Sequence, residues 1–297
     1  MTLHQLKLLR ALAEHRSLTQ AGTTLLRSQP AVSLQLKELQ KELGAVLYER
    51  FGNTLHLTDA GRSLEQYARR ILALVEEAEA AVHAQQEGRG GRIRIGASTT
   101  PGIYLLPPLL SAFRQTRPTL ALTLEVGNTN TITEKLLHNE LDLGVVGGTL
   151  ASEALTVIPW QTDTLVLTVG TDHPWAKRKT IRPKELQTQP ILGRERGSAT
   201  RETYERAFVQ HGLTLPRTIE IGEAEAIKRA VEAGLGIALM SASSVAREVQ
   251  DGRITTLRLK GLPITRPLNI VHHKDKTLTT PLQELYRQLK GKGSDCL

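Results

Sequence analysis

Residues 17–39, SLTQAGTTLLRSQPAVSLQLKEL, decide the fold of the amino-terminal part. Ser17-Leu-Thr-Gln20 is a capping-box pattern: the serine hydroxyl can accept from the third amide and the glutamine can reach back. A short helix through Ala21 and Leu25 is therefore predicted. Ser28-Gln29-Pro30 is a second cap, with proline in the first turn, where its missing N–H costs nothing. From there Val32, Leu36, Leu39 and Leu43 form one apolar stripe, and Gly44 ends the helix. Upstream, Leu6, Leu9 and Ala13 recur at helical spacing. Downstream, residues 47–58 (LYERFGNTLHLT) predict a hairpin turning at Gly52-Asn53.

Two helices joined by a tight turn, then a small hairpin, describe a winged helix-turn-helix. A helix fits the major groove, and its first amides favour phosphate. The polar side of the second helix offers Ser28, Gln29, Ser33, Gln35 and Lys37. Glutamine can read adenine bidentately, serine can pair with either kind of edge, and Pro30 or Ala31 can touch a thymine methyl. Arg27, Arg50 and Asn53 fall where contacts to the DNA backbone are expected. The competing reading is a helical hairpin with a solvated polar face, and periodicity alone leaves both open.

The whole chain has 297 residues, a two-domain length, with 40% apolar and 23% charged residues. That composition excludes disorder and collagen-like repeats. No apolar run approaches the ~20 residues of a membrane-spanning helix, and the start does not read as a secretory signal. The one cysteine, Cys296, excludes an internal disulfide framework and fits a reducing cytoplasm. The net charge is +8, which favours anionic partners. Residues 1–62 hold +3, residues 63–91 hold −2, and residues 92–297 hold +7.

The stretches Ser17–Ala21, Ser28–Leu39, Leu43-Gly44, Leu47–Arg50 and Leu57–Gly61 resemble the DNA-binding domain of LysR-type transcriptional regulators. The match is dense over the first 62 residues or so. Gly22 stands where a second alanine is usual, which predicts a soft helix, since glycine costs up to ~1 kcal/mol there.

Residues 59–87 read as one long helix. Ala60, Leu64, Tyr67, Ile71, Leu74, Ala78 and Ala81 make a heptad seam for three repeats. Nothing in residues 1–58 is long enough to cover about 43 Å of helix, so the seam predicts a homodimer holding two recognition helices apart at a fixed separation. The resemblance implies the same linker helix and a tetramer of two dimers. Gly88–Gly91 is a glycine hinge.

From Arg92 on, strand-like segments (92–96, 143–146, 164–169, 268–272) alternate with helix-like ones (200–210, 224–233, 278–290), which implies α/β layers with mostly parallel strands. Two similar halves joined by crossings near 148–162 and 262–267 resemble the type 2 periplasmic-binding-protein fold, with a ligand cleft between the halves. The expected division is 1–58 winged helix-turn-helix, 59–87 linker, 88–91 hinge and 92–297 effector-binding. Within the last, subdomain I is 92–161 with 267–297, and subdomain II is 162–266.

Three clusters of small polar residues sit where strands feed helices: Ser98-Thr99-Thr100, Asn128-Thr129, and Ser198 with Thr200 flanked by Arg194. Hydroxyls and free amides at converging helix starts make an anion pocket. Each residue alone is an ordinary cap; the case rests on three clusters in one domain, plus its +7. The segments Gly96–Thr100, Tyr104–Pro107, Glu125–Thr129, Arg194–Ser198 with Thr200-Arg201, Glu225–Lys228 and Ala233–Gly236 resemble the branch regulating carbon fixation and sulfur assimilation, whose effectors are small anions or phosphorylated metabolites. The resemblance also implies double-stranded DNA and RNA polymerase as partners.

An enzyme is the rival class, but no phosphate-loop, nucleophile-elbow or metalloprotease pattern is found; His272-His273, adjacent on a strand, make a poor metal chelate, and Asp172-His173 reads as a turn before Pro174. No cofactor, metal or membrane is expected. A transport-associated binding protein would suit the carboxyl-terminal half but not the first 90 residues.

Overall fold

The computed structural model describes residues 1–52, 54–87, 91–214 and 217–293. Asn53, most of the 88–91 hinge and Cys296 lie outside them, as does the side chain of Ala81. Two compact units are found, one made mainly of residues 1–88 and the other holding nearly all the rest.

The first unit contains α1 (Leu3–His15), α2 (Leu18–Thr24), α3 (Gln29–Leu43), β1 (Tyr48–Phe51), β2 (Thr54–Leu57) and α4 (Asp59–Glu87). Thr2 and Gln5 form a full capping box on α1, a signal the sequence reading passed over. Ser17 accepts from the Gln20 N–H at 3.4 Å, without the return bond that the capping-box pattern predicts. Leu25 is the C-cap of α2 rather than part of it. Leu8, Leu9 and Leu12 of α1 meet Val32, Leu36 and Leu39 of α3 and Leu47 in one core. The wing pairs Phe51 with Thr54, and Gly52 has φ +59°.

Gly22 has a steric reason to stand in α2. A Cβ there would lie 2.6 Å from the Arg27 carbonyl oxygen, so the turn between α2 and α3 needs glycine's close approach.

The heptad seam on α4 is split. Leu64 and Ile71 pack with Ala68 and Leu72 on Leu6 of α1, so α4 is partly covered by its own domain. The expectation that nothing in 1–58 is long enough to cover the helix holds only in part: α1 packs on Leu64, Ala68, Ile71 and Leu72 without spanning α4. Tyr67, Leu74 and Ala78 stay exposed, and Val82 extends their stripe.

In the second unit come β3 (Arg92–Ser98), a wide turn at Pro101–Leu105, α5 (Leu106–Thr116), β4 (Ala121–Gly127), α6 (Thr129–Leu137), β5 (Leu143–Gly147) and β6 (Leu155–Gly170). Next are β7 (Thr180–Ile181), a short 3-10 turn at Pro183–Thr188, β8 (Ile191–Gly193), α7 (Ala199–Gln210), β9 (Thr218–Glu220) and α8 (Ala224–Glu232). The order closes with β10 (Ala238–Ser241), α9 (Ala242–Gln250), β11 (Ile254–Leu259), β12 (Ile264–His273) and α10 (Thr280–Gly293). The main sheet runs β4-β3-β5-β12-β6-β11-β7, with β10 also on β6.

Two differences from the sequence reading matter. β6 starts at Leu155, nine residues before the expected strand, and pairs antiparallel with all ten residues of β12. The crossings between halves are therefore the middles of two long strands. The sheet is also mixed: β3 is parallel to β4 and β5, but β12 and β6 run antiparallel to their neighbours β5, β10 and β11. A chain that leaves one half and returns must run both ways along the shared strands. Each half keeps its own core, one around Phe113, Trp160 and Leu285, the other around Tyr204, Phe208 and Leu239.

Candidate functional site

The first site is the outer face of α3. At about 100° per residue, Gln29, Pro30, Ser33, Leu34 and Lys37 fall within an arc of about 140° that leaves out the buried Val32, Leu36 and Leu39. The side chains of Arg27, Ser28, Gln29, Ser33 and Lys37 make no hydrogen bond or ion pair among the described residues. Ser28 holds the N-cap position of α3 but its hydroxyl makes no cap bond, contrary to the predicted second cap. Gln35 departs from the face. It lies about 100° beyond the arc, half-buried, with its amide donated to Glu38 at 3.0 Å. Its backbone carbonyl takes the Gln5 amide at 3.4 Å. Leu34, which the sequence reading did not single out, is 57% exposed on the arc and offers an apolar contact. Arg50 on the wing donates to the Gly52 carbonyl at 3.1 Å.

The second site lies between the two halves of the second unit. Ser98, Thr99, Thr100, Asn128, Thr129, Arg194, Ser198 and Thr200, all eight candidates, line one pocket with Ala199 and Arg266. Arg194 donates to the Thr99 hydroxyl at 3.2 Å. Ser98 accepts from the Gly147 N–H at 3.1 Å, and Thr129 donates to the Gly147 carbonyl at 3.4 Å. Asn128 behaves as a cap, accepting from the Thr131 N–H at 2.9 Å, whereas Thr100 and Ser198 make no side-chain cap bond. At the rim, the Asn130 N–H donates to the Gly197 carbonyl at 3.3 Å. Gly197 has φ +85°, and a Cβ there would meet the Asn130 amide at 3.0 Å.

Sequence reasoning missed the central residue. Arg266 on β12 is 4% exposed and faces Asp163, its cross-strand partner on β6, at 2.8 Å. It also donates to the Thr200 hydroxyl at 2.7 Å and the Thr100 hydroxyl at 3.0 Å. One guanidinium thus ties both halves together at the strands that join them. Burial pushes Arg266 below its ordinary pKa, with Asp163 opposing and Arg194 adding to the fall. The signal was present as an inward-phased arginine in Ile264-Thr-Arg-Pro-Leu268, but alternation also fits an outward residue.

The pocket is nearly neutral, which corrects part of the case for it. Arg266 is paired with Asp163, and Arg194 with Glu195 at 2.8 Å. Arg201 turns away to Glu205 and Glu220. The +7 of this region therefore resides elsewhere.

A second network spans the cleft. The Tyr104 hydroxyl donates to Glu225, and Lys228, 3% exposed, pairs with Glu225 and Glu248 at 2.8 Å each. Burial and the bond to Glu225 push Tyr104 up to about 12. Burial would raise Glu225, but Lys228 and Tyr104 hold it below its ordinary value. The polar pocket has room for roughly one water molecule.

The family description "Bacterial regulatory helix-turn-helix protein, lysR family" matches residues 3–62, and "LysR substrate binding domain" matches residues 86–294. The chain belongs to the LysR family of transcriptional regulators. It is 35% identical over 294 residues to the "Probable RuBisCO transcriptional regulator" of Porphyra purpurea, covering 96% of this chain and 93% of that one. Among solved structures, this LysR-type regulator is similar to full-length CbnR complexed with its target DNA, at 26% identity and a TM-score of 0.72, covering 99% of this chain and 100% of that one. It is also similar to the Synechocystis PCC6803 CcmR regulatory domain in complex with 2-PG, at 29% identity and a TM-score of 0.64, covering 69% and 98%. Among the described residues no helix is long and apolar enough to cross a membrane, and no three potential metal ligands cluster.

Proposed function

We propose that this regulator reads its operator with Ser28, Gln29, Pro30, Ser33 and Lys37 of α3, supported by Arg27, Arg50 and Asn53 on the DNA backbone. The Gln35 side chain is held by Glu38, while its backbone carbonyl ties α3 to α1 through Gln5. A second copy lies along Tyr67, Leu74 and Ala78 of α4, with Leu64 and Ile71 shared between that contact and Leu6. Small later residues let the two helices approach closely.

The cleft takes a small anion as effector, and the protein performs no catalysis, carries no cofactor and works in the cytoplasm. The observation that carries this reading is the convergence of the eight polar residues and Arg266 on one pocket. The 2-PG held by the CcmR domain supports the choice of a small anion. Released from Arg266, the Thr100 and Thr200 hydroxyls would themselves donate to that anion beside the two freed guanidinium N–H groups, without moving Asp163. Because the closed pocket has room for about one water, the effector enters as the halves part about β6 and β12. Binding then biases the halves, and a coupling of ~1–3 kcal/mol suffices to change operator affinity. Titrating the full-length protein with 2-PG and reading operator affinity tests the proposal. Thr100→Val is expected to abolish the shift and leave effector-free DNA binding unchanged; an undiminished shift removes Thr100 from the pocket's function.

A further inference from the structure

The effector-binding region carries more positive charge than the DNA-reading domain, and the cleft does not use it. Much of the surplus gathers at one sheet edge. β7 is the terminal strand, parallel to β11, with Arg258 opposite Thr180 and Leu259 opposite Ile181. Ile181 and Leu259 are buried, so Arg258, and beyond it Lys260 beside Arg182, face outward. The backbone locks this register: the Arg258 N–H donates to the Lys179 carbonyl at 3.1 Å and the Lys260 N–H to the Ile181 carbonyl at 2.8 Å. Lys177, Lys179, Arg182, Lys184, Arg258 and Lys260 are all exposed, and none forms an ion pair among the described residues. The nearby Glu185 carboxylate is occupied by Arg178 at 2.7 Å and by the Arg182 N–H at 2.9 Å.

We propose that this β7–β11 edge is a second, sequence-independent contact for double-stranded DNA, gripping phosphates beside the operator. Four of the six cations are lysines, a residue type depleted from protein–protein interfaces, whose cores need aromatic and apolar anchors. The aromatic residue next to the edge, Trp175, is 9% exposed, so no ring is offered for stacking unpaired bases. Unpaired lysines on a registered edge suit the phosphates of a duplex, where each neutralised phosphate releases counterions. The helix-turn-helix keeps that duplex at high local concentration, so individually weak contacts count.

The test compares full-length wild type with K177Q/K179Q/K184Q/K260Q on two duplexes, the operator core alone and the core extended on both sides, over a range of salt. Each phosphate contact steepens the logarithmic salt dependence by about 0.9. Wild type is expected to show a steeper slope on the extended duplex. The variant should lose that excess, by about two or more, while matching wild type on the core duplex. The corresponding quadruple arginine variant should keep the steep slope, which separates lost charge from lost folding. Equal wild-type slopes on both duplexes overturn the proposal. So does a glutamine variant that binds both duplexes as wild type does but no longer activates transcription with RNA polymerase, since that result assigns the edge to an acidic protein surface.

Discussion

The face of α3 and the cleft of the effector-binding unit are both lined with small polar residues and cations, yet they are built in opposite ways. On α3 the side chains of Ser28, Gln29, Ser33 and Lys37 have no partners within the described residues and stand on a helix anchored from behind by Val32, Leu36 and Leu39. In the cleft, Arg194 is bonded to Thr99 and Glu195, and Arg266 to Thr100 and Asp163. A preformed surface meets its ligand with little internal rearrangement, whereas a self-satisfied pocket must exchange internal bonds for external ones. That exchange couples binding to the positions of the two halves, which a regulator needs from its effector site and not from its DNA-reading helix.

The contrast breaks first at Asp163. Asp163→Ala leaves Arg266 buried without its counter-charge, so a loss of ~3–5 kcal/mol of stability is expected in denaturant unfolding. A loss below ~1 kcal/mol would mean that Arg266 finds other compensation and that the cleft is less tightly bound to itself than described. On the other side, Gln29→Ala is expected to cost ~1–3 kcal/mol of operator preference, while stability stays within ~0.5 kcal/mol of wild type. Unchanged preference in a competition assay removes Gln29 from the reading face.

How far each site could be read from sequence follows the same division. The helix-turn-helix is specified by local signals, namely caps, a proline, a stripe and a terminal glycine, all within about one element of each other. Gln35 sits apart from the other polar residues because the helix carries it about 100° past their arc, where its amide bonds Glu38. The eight cleft residues were legible because each sits at a strand-to-helix junction. Arg266 was not, since its partner Asp163 is 103 residues away in sequence and on another strand. The heptad on α4 was visible, but spacing cannot tell a neighbour in the same chain from a second copy, so the share of Leu64 and Ile71 taken by Leu6 went unread.

Two smaller effects sharpen the comparison. Asp142 is held below its ordinary pKa: burial would raise it, but Arg94 and Lys276 overcome that. Its folded pKa is depressed, so its stabilisation is present above the ordinary aspartate value of 3.8 and is lost as pH falls further, through the folded pKa. Unfolding curves recorded below about pH 4 should therefore show wild type converging on Asp142→Asn; parallel curves would deny the ion pair its role. Smallest of all, Leu26 holds φ +54° in the turn between α2 and α3, 92% exposed. Asparagine tolerates that conformation better, so Leu26→Asn should raise stability by up to ~1 kcal/mol. A decrease would show that Leu26 makes contacts that offset its strain.

The most direct test of the account is whether the two polar sites are energetically linked through Arg266. Operator affinity of the full-length protein is measured with and without 2-PG, for wild type and for Thr200→Val, which removes one of the hydroxyls that Arg266 holds across the cleft. The account predicts a 2-PG-dependent change in wild type of about 5- to 150-fold and its loss in the variant, with effector-free affinity preserved. An identical response in both proteins would contradict it.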